Sequence, residues 1–159
     1  MMIPELCDWI SGTRVSQVIQ DVSWIIPAVQ SLHILSVAVV MSSMAMLDLR
    51  LMGVSGRRYS VSVTAMRLLP RMWIAVVVLA ITGTILVIGE PARDLPNPAF
   101  QLKMGALAVA IVLTLIVRPQ ARKEAAFWES RPLAAKLAAA ASLLLWVGIV
   151  VAGRWSAYV

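Results

Sequence analysis

The sequence predicts an all-α integral membrane protein: a four-helix bundle preceded by a short amphipathic segment at the membrane surface. Composition is the first reason, because 60% of the 159 residues are hydrophobic and 14% are charged. A soluble domain carries about 25% charged residues. Mean hydropathy is +0.86. Four apolar stretches are each long enough, as helices, to cross a hydrocarbon layer of about 30 Å.

Residues 1–23 are expected to lie on the membrane surface rather than to cross it. Pro4 suits the first turn of one short helix, and Gly12 suits its end. A second short helix has one apolar face, because its aliphatic residues follow the i, i+3, i+4, i+7 spacing: Val15, Val18, Ile19 and Val22. With tryptophans nearby, this pattern is typical of an interfacial helix. The alternative is a disordered tail.

The bundle itself is expected to occupy residues 24–159. Its first span, Trp24–Leu47, is 24 residues long, has no charged side chain and contains the only histidine of the chain, His33. The other three spans are expected at about 70–89, 98–117 and 133–153. Each is apolar and close to the length that a transmembrane helix needs.

Basic residues predict the orientation of the bundle. Ten of the fourteen Lys and Arg residues lie on one side, at the connections between spans one and two and between spans three and four: Arg50, Arg57, Arg58, Arg67, Arg71, Arg118, Arg122, Lys123, Arg131 and Lys136. Short cytoplasmic loops are enriched in Lys and Arg, so both termini are expected to face the periplasm. On the opposite side, Lys103 is expected to snorkel to the surface. The net charge of +6 therefore reflects topology and does not indicate a nucleic-acid partner.

One face of the first span carries polar and sulfur-bearing side chains. At 100° per residue they fall within a sector of about 80°: Gln30, His33, Val37, Met41, Met44 and Asp48. Such a stripe on an apolar helix is expected to point into the bundle. The methionines could fill gaps in the core while His33 bonds a Thr or Ser of a neighbouring helix. Alternatively, His33 binds haem b or a quinone, or His33, Met41 and Met44 handle copper, since thioethers and imidazole suit Cu(I).

Helical geometry limits these alternatives. His33 and Met41 are eight residues apart in the sequence, or about 12 Å along the helix axis, which is too far for one metal ion. The candidate cofactor-binding neighbours of His33 are Gln30, Thr82, Ser142 and Trp146. None of them is a histidine or a methionine, so a bis-histidine haem within one chain is excluded. A haem shared by a homodimer, a five-coordinate haem and a quinone head group remain open.

Asp48 lies in the last turn of the first span, where a carboxylate opposes the helix dipole. A cationic partner is therefore expected, and three arginines lie at the same level of the predicted bundle: Arg67, Arg71 and Arg118. The pair would join helix ends as a structural ion pair. A proton or ion site at Asp48 is the alternative.

Four short segments carry a resemblance to a known family: Trp24-x-x-Pro27-x-x-QSLHILS, LDLRLMG at 47–53, NPAFQLK at 97–103 and GRWSAY at 153–158. They resemble a family of small bacterial four-helix inner-membrane proteins catalogued as a domain of unknown function. More loosely, the chain is similar to copper-resistance D-type membrane proteins and to four-helix cytochromes b. The resemblance implies a four-span bundle in the bacterial inner membrane, and it carries over no catalytic residue. The chain lacks the additional histidines that those cytochromes use for haem.

Three functions are consistent with the sequence. The first is a membrane redox component that binds haem b or quinone beside His33. The second is copper handling through Met41 and Met44, and the third is a structural subunit of a membrane complex. The expected partners are the lipid bilayer and either a second copy of the chain or a larger complex. No glycine-rich phosphate loop, CxxC pair, HExxH motif or catalytic triad indicates an enzyme class.

The predicted orientation can be tested with fusions to a reporter that is active only in the periplasm. A fusion after Val159 is expected to be active, and fusions near Arg57 or Arg122 are expected to be silent, because the basic loops stay in the cytoplasm. Reporter activity would be measured in intact cells at matched expression levels. Active loop fusions together with a silent terminal fusion would contradict the inference from charge.

Overall fold

A computed structural model describes residues 3–54, 60–123 and 132–155, and describes side chains for 3–54, 60–115 and 133–155. These residues are all-α, which confirms the predicted fold class. The helices are α1 (Ile3–Ser11), α2 (Arg14–Asp21), α3 (Ile25–Leu51), α4 (Val61–Gly89), α5 (Pro91–Asp94), α6 (Pro98–Lys123) and α7 (Pro132–Trp155). Four of them, α3, α4, α6 and α7, are long and apolar enough to cross a membrane. We name the end of the bundle where α3 begins the outer end, and the end where α4 begins the inner end.

The second long helix begins earlier than its apolar stretch. The sequence places the start of this span near Pro70, whereas α4 begins at Val61. Ser60 explains the earlier start, because its Oγ accepts a hydrogen bond from the Val63 N–H at 3.3 Å and so caps the helix. Pro70 therefore lies inside α4, where it cannot donate a helical hydrogen bond. Its ring is exposed, so it does not intrude between packed helices.

A polar cap also fixes where α6 begins. Asn97 Oδ1 accepts hydrogen bonds from the backbone N–H groups of Ala99, at 2.9 Å, and Phe100, at 3.3 Å. This satisfies two of the amides that have no partner within the helix. At the same outer end, Trp24 and Trp155 are exposed, as expected for aromatic side chains among lipid headgroups.

The main hydrophobic core lies where the inner half of α3 packs against α4, with contributions from α6 and α7. Its buried residues are Val40, Met44, Leu47, Ala65, Leu69, Met72, Ala75, Ala110, Trp146 and Ile149. Two methionines, Met44 and Met72, are each 1% exposed, and Met41 packs partly buried against the cluster. Flexible thioether side chains fill irregular gaps well. Along α3, this inner half is where apolar packing is densest.

The N-terminal helices are attached to the outer end of the bundle by polar contacts. Ser16 Oγ donates to the Ile88 carbonyl at 2.7 Å, and Gln20 Nε2 donates to the Gly89 carbonyl at 2.9 Å. These are the last carbonyls of α4, which lack partners within their own helix. Cys7 Sγ lies 3.4 Å from the Pro91 carbonyl oxygen and is buried. The two short helices thus close the C-terminal end of α4.

The residues of the apolar face expected on α2 lie in two different environments. Ile19 is buried and packs closely on Gly89, where an added Cβ would come within 3.0 Å of its Cγ2 atom. Val15 and Val18 are exposed instead. The reason is that α2 turns its hydroxyl and amide side chains toward the α4 terminus. Outward-facing aliphatic side chains at the outer end suit contact with the lipid surface.

The single cysteine allows the N-terminal attachment to be measured. In the double variant Ser16→Ala, Gln20→Ala, we expect a membrane-impermeant maleimide to label Cys7 about ten times faster or more. Each of the lost hydrogen bonds contributes about 0.5–1.5 kcal/mol to keeping the segment closed. Gln17→Ala is the matched control, because that side chain is exposed on the same helix. Equal labelling rates in the double variant and the wild type would show that these bonds do not hold the segment.

Candidate functional site

His33 lies in the outer half of α3 and contacts α4. Its ring nitrogen Nδ1 is 2.8 Å from Thr82 Oγ1, and the Thr82 side chain is buried. This is the kind of bond that the packing interpretation of His33 expects. A threonine inside a helix can bond the carbonyl one turn before it, and Thr82 does so, with its hydroxyl 2.7 Å from the Val78 oxygen.

These two contacts determine which nitrogen of His33 carries the proton. Thr82 has one hydroxyl proton, and it is directed to the Val78 carbonyl, which can only accept. Thr82 Oγ1 must therefore accept from the Nδ1–H of His33. An imidazolium is costly inside a membrane, so the ring is expected to be neutral. Its Nε2 then keeps an electron pair that can accept a hydrogen bond or ligate a metal.

A glycine on α4 faces the imidazole. A Cβ added at Gly83 would lie 3.4 Å from Cε1 of His33, in van der Waals contact with the ring. Small residues at helix interfaces allow such close approach. Gly83 and Thr82 together hold the ring against α4. His33 is half-buried.

The other predicted cofactor neighbours occupy different environments. Gln30 is exposed on α3, three residues before His33, and Ser142 is half-buried on α7. Trp146 is 4% exposed and belongs to the main core. Among the predicted neighbours, Thr82 is the one that forms a hydrogen bond with His33 in the part of the chain that the structure describes. A cofactor-binding role for the others stays a prediction.

The predicted copper stripe spans two environments. Met44 is enclosed by core side chains that include Val40 and Leu47, whereas His33 lies nearer the outer end. In the described part of the chain, no group of three or more His, Cys, Asp or Glu side chains could hold a metal ion. Copper handling through Met41 and Met44 stays a prediction.

Asp48 is fully buried near the inner end of α3, at 0% exposure. Two of its predicted partners, Arg67 and Arg71, are exposed on α4. The side chain of the third, Arg118, lies outside the described residues. The ion pair at this position therefore stays a prediction.

Lys103 was expected to snorkel to the surface, whereas the structure shows it half-buried, with contacts that the sequence did not predict. Its side chain crosses α7 at Gly153, where an added Cβ would meet Cδ at 3.2 Å. Its Nζ lies 5.0 Å from the centroid of the Phe100 ring, a cation–π contact. The positive charge of Lys103 favours the ionised form of Asp94. The GRW motif that begins at Gly153 is the sequence feature that could have indicated this contact, but nothing in the sequence pairs it with Lys103.

Two acidic side chains, Glu90 and Asp94, lie at the short helix α5 at the outer end. Burial raises the pKa of Asp94, and the nearby charges of Lys103 and Arg93 act in the opposite direction without cancelling that effect. Arg93 pairs with Glu90 at 2.6 Å, with both side chains well exposed. An exposed pair of this kind contributes about 0–1 kcal/mol. The outer end thus places the half-buried carboxyl of Asp94 near the ammonium of Lys103.

A family model matches residues 15–159 of the chain, and its description is Family of unknown function (DUF6644). The match covers all four long helices and leaves out α1 entirely. Neither a curated protein nor a solved structure matches the chain.

The protonated ring nitrogen of His33 can be identified by NMR without ambiguity, because the chain has one histidine. With ¹⁵N-histidine labelling, we expect one protonated nitrogen and one with the shift of a bare ring nitrogen, with Nδ1 bearing the proton. Thr82→Val should mix the two tautomers and destabilise the fold by about 1–2 kcal/mol, because it removes the acceptor of a buried donor. Thr82→Ser, which keeps the hydroxyl, is the control. A wild type protonated on Nε2 would contradict the assignment.

Proposed function

The chain belongs to this family of unknown function, and we propose that it is a membrane redox component that binds a quinone head group beside His33. The charge bias supports placing it in the bacterial inner membrane with both termini in the periplasm. His33 would then lie in the periplasmic half of the bilayer.

The observation that carries the proposal is the hydrogen bond from His33 Nδ1 to Thr82 at 2.8 Å. It leaves Nε2 as an acceptor whose orientation is fixed from the other side of the ring. A quinol hydroxyl is a hydrogen-bond donor, so Nε2 can accept from it.

Access from the lipid supports a membrane-borne ligand. The apolar residues around His33 on α3, Leu32, Ile34 and Leu35, are exposed. Exposed aliphatic side chains on a spanning helix face hydrocarbon. An isoprenoid tail can lie along them while the polar head group reaches the half-buried imidazole. A water-soluble ligand would have no use for this face.

Haem b is a second candidate, because the same Nε2 atom is the one that ligates iron. A ligating histidine commonly donates its other N–H to a fixed acceptor, which orients the ring and raises its basicity. Thr82 fits that role, so His33 fits as a single axial ligand. Haem would supply one-electron transfer. A second histidine could come only from another chain, since this one has a single histidine.

Other interpretations of the chain predict different ligands. Copper handling would use Met41 and Met44, but Met44 is enclosed in the aliphatic core rather than beside His33. A purely structural subunit of a membrane complex would carry no ligand at all. Both alternatives thus make a distinct prediction for the purified protein.

The test is purification in mild detergent, a visible spectrum, and extraction with organic solvent to quantify quinone. We expect a colourless wild type that carries quinone, and we expect His33→Leu to lose most of it. Ser31→Ala is the control on the same helix, because its hydroxyl bonds only the Pro27 carbonyl at 2.8 Å.

Other outcomes separate the candidates. A Soret band that His33→Leu abolishes would assign haem b instead of quinone. Stoichiometric copper without either cofactor would favour the methionine stripe. A protein with no quinone, haem or copper, purified from cells supplied with haem precursors, would overturn the proposal and leave the structural role.

A further inference from the structure

We propose that the short helix α2 is a lid on the outer end of the seam between α3 and α4, the seam in which His33 contacts Thr82. Ile19 is the side chain that plugs the seam, and hydrogen bonds to the end of α4 hold the lid in place. The closed lid keeps aqueous solutes away from the imidazole. This inference goes beyond the proposed function, because it concerns access to the seam and applies to any ligand of His33.

Ile19 is seated where α3 and α4 meet at the outer end. A Cβ added at Gly89 would lie 3.0 Å from Cγ2 of Ile19 and 3.6 Å from Cδ1 of Ile26. One residue from each of α2, α3 and α4 therefore meets at this point. Ile19 is 8% exposed. Because Gly89 has no side chain, Ile19 can approach the α4 backbone this closely.

The plug and the imidazole lie along the same faces of the same two helices. His33 follows Ile26 by seven residues on α3, and Thr82 precedes Gly89 by seven residues on α4. Seven residues are close to two helical turns, or about 10.5 Å along the axis, so each pair shares one helix face. The contact of His33 with Thr82 is therefore the continuation, two turns deeper, of the seam that Ile19 plugs.

Aliphatic side chains line the turn between the plug and His33. Val29 on α3 and Leu86 on α4 lie on these faces at intermediate depth, and both are half-buried. An ordered water molecule needs polar partners, and aliphatic side chains supply none. Access of water and of dissolved solutes to His33 from the outer end therefore depends on whether Ile19 stays seated.

The side chains that hold the lid flank Ile19 on α2. Ser16 Oγ donates to the Ile88 carbonyl at 2.7 Å, and Gln20 Nε2 donates to the Gly89 carbonyl at 2.9 Å. Gln20 Nε2 also lies 3.0 Å from Ser16 Oγ, which joins the two contacts. Once α2 lifts, water can replace each of these bonds. The lid can therefore open locally while the four long helices stay packed.

Substituted cysteines measure whether α2 closes the seam. In a Cys7→Ser, Val29→Cys protein in lipid nanodiscs, we expect a membrane-impermeant methanethiosulfonate to react slowly. Adding Ile19→Ala should speed the reaction about tenfold or more, because this large-to-small substitution removes packing from the closed state. Val18→Ala is the matched control on α2, since Val18 is exposed and its loss should leave the rate unchanged.

A variant that leaves the lid itself unchanged provides a second test. Gly89→Ala places a methyl group 3.0 Å from Ile19 Cγ2, so it should unseat the plug and speed labelling of the Val29→Cys protein. Gly148→Ala on α7 meets nothing within 4 Å and should label at the original rate. Melting temperatures would show that each variant folds.

A cysteine in the inner half of α3 distinguishes an open lid from a loosened bundle. Ser43 is buried there, so Ser43→Cys should label equally slowly with and without Ile19→Ala. Equal acceleration at both cysteines would show general loosening and would overturn the lid. An unchanged rate for Val29→Cys on adding Ile19→Ala, or rapid labelling while Ile19 is intact, would also overturn it. The labelling needs no quinone, so these outcomes are independent of the proposed function.

Discussion

Packing between α3 and α4 is the interaction on which the rest of the bundle depends. These two helices make the most extensive contact among the described elements, and the other helices are arranged around it. Apolar side chains gain little from leaving lipid for a protein interior, so helices in a membrane associate through close packing and hydrogen bonds. The α3–α4 seam contains both. Core residues such as Val40 and Met44 pack in its inner half, and the bond between His33 and Thr82 lies in its outer half.

The two halves of this seam differ in what they can accommodate. The inner half is filled by buried side chains, and a ligand there would have to displace closely packed methionine and leucine. In the outer half, His33 is half-buried and its neighbours on α3 face outward.

The sequence predicts the fold class and all four long helices, because a chain in lipid must satisfy its backbone within helices and therefore needs long apolar runs. Hydropathy identifies only the part of a helix that crosses the membrane, so it did not predict the turns of α4 that precede Pro70. For the candidate site, periodicity identified His33 and its stripe, and Thr82 was among the neighbours expected. Lys103 was expected to snorkel to the surface, and its packing could not be predicted because it depends on a glycine fifty residues later in the chain. Contacts between distant segments leave no periodic signal.

The polar stripe of α3 shows why one helix face need not mean one function. His33 and Met44 share a face, yet one contacts a hydroxyl on α4 and the other packs in an aliphatic cluster. They are eleven positions apart in the sequence, or about 16 Å along the helix axis, several times the length of a metal–ligand bond. The inner methionine therefore contributes to packing in the core. The outer imidazole instead bonds the hydroxyl of Thr82 across the α3–α4 seam, and this contact fixes the orientation of the ring.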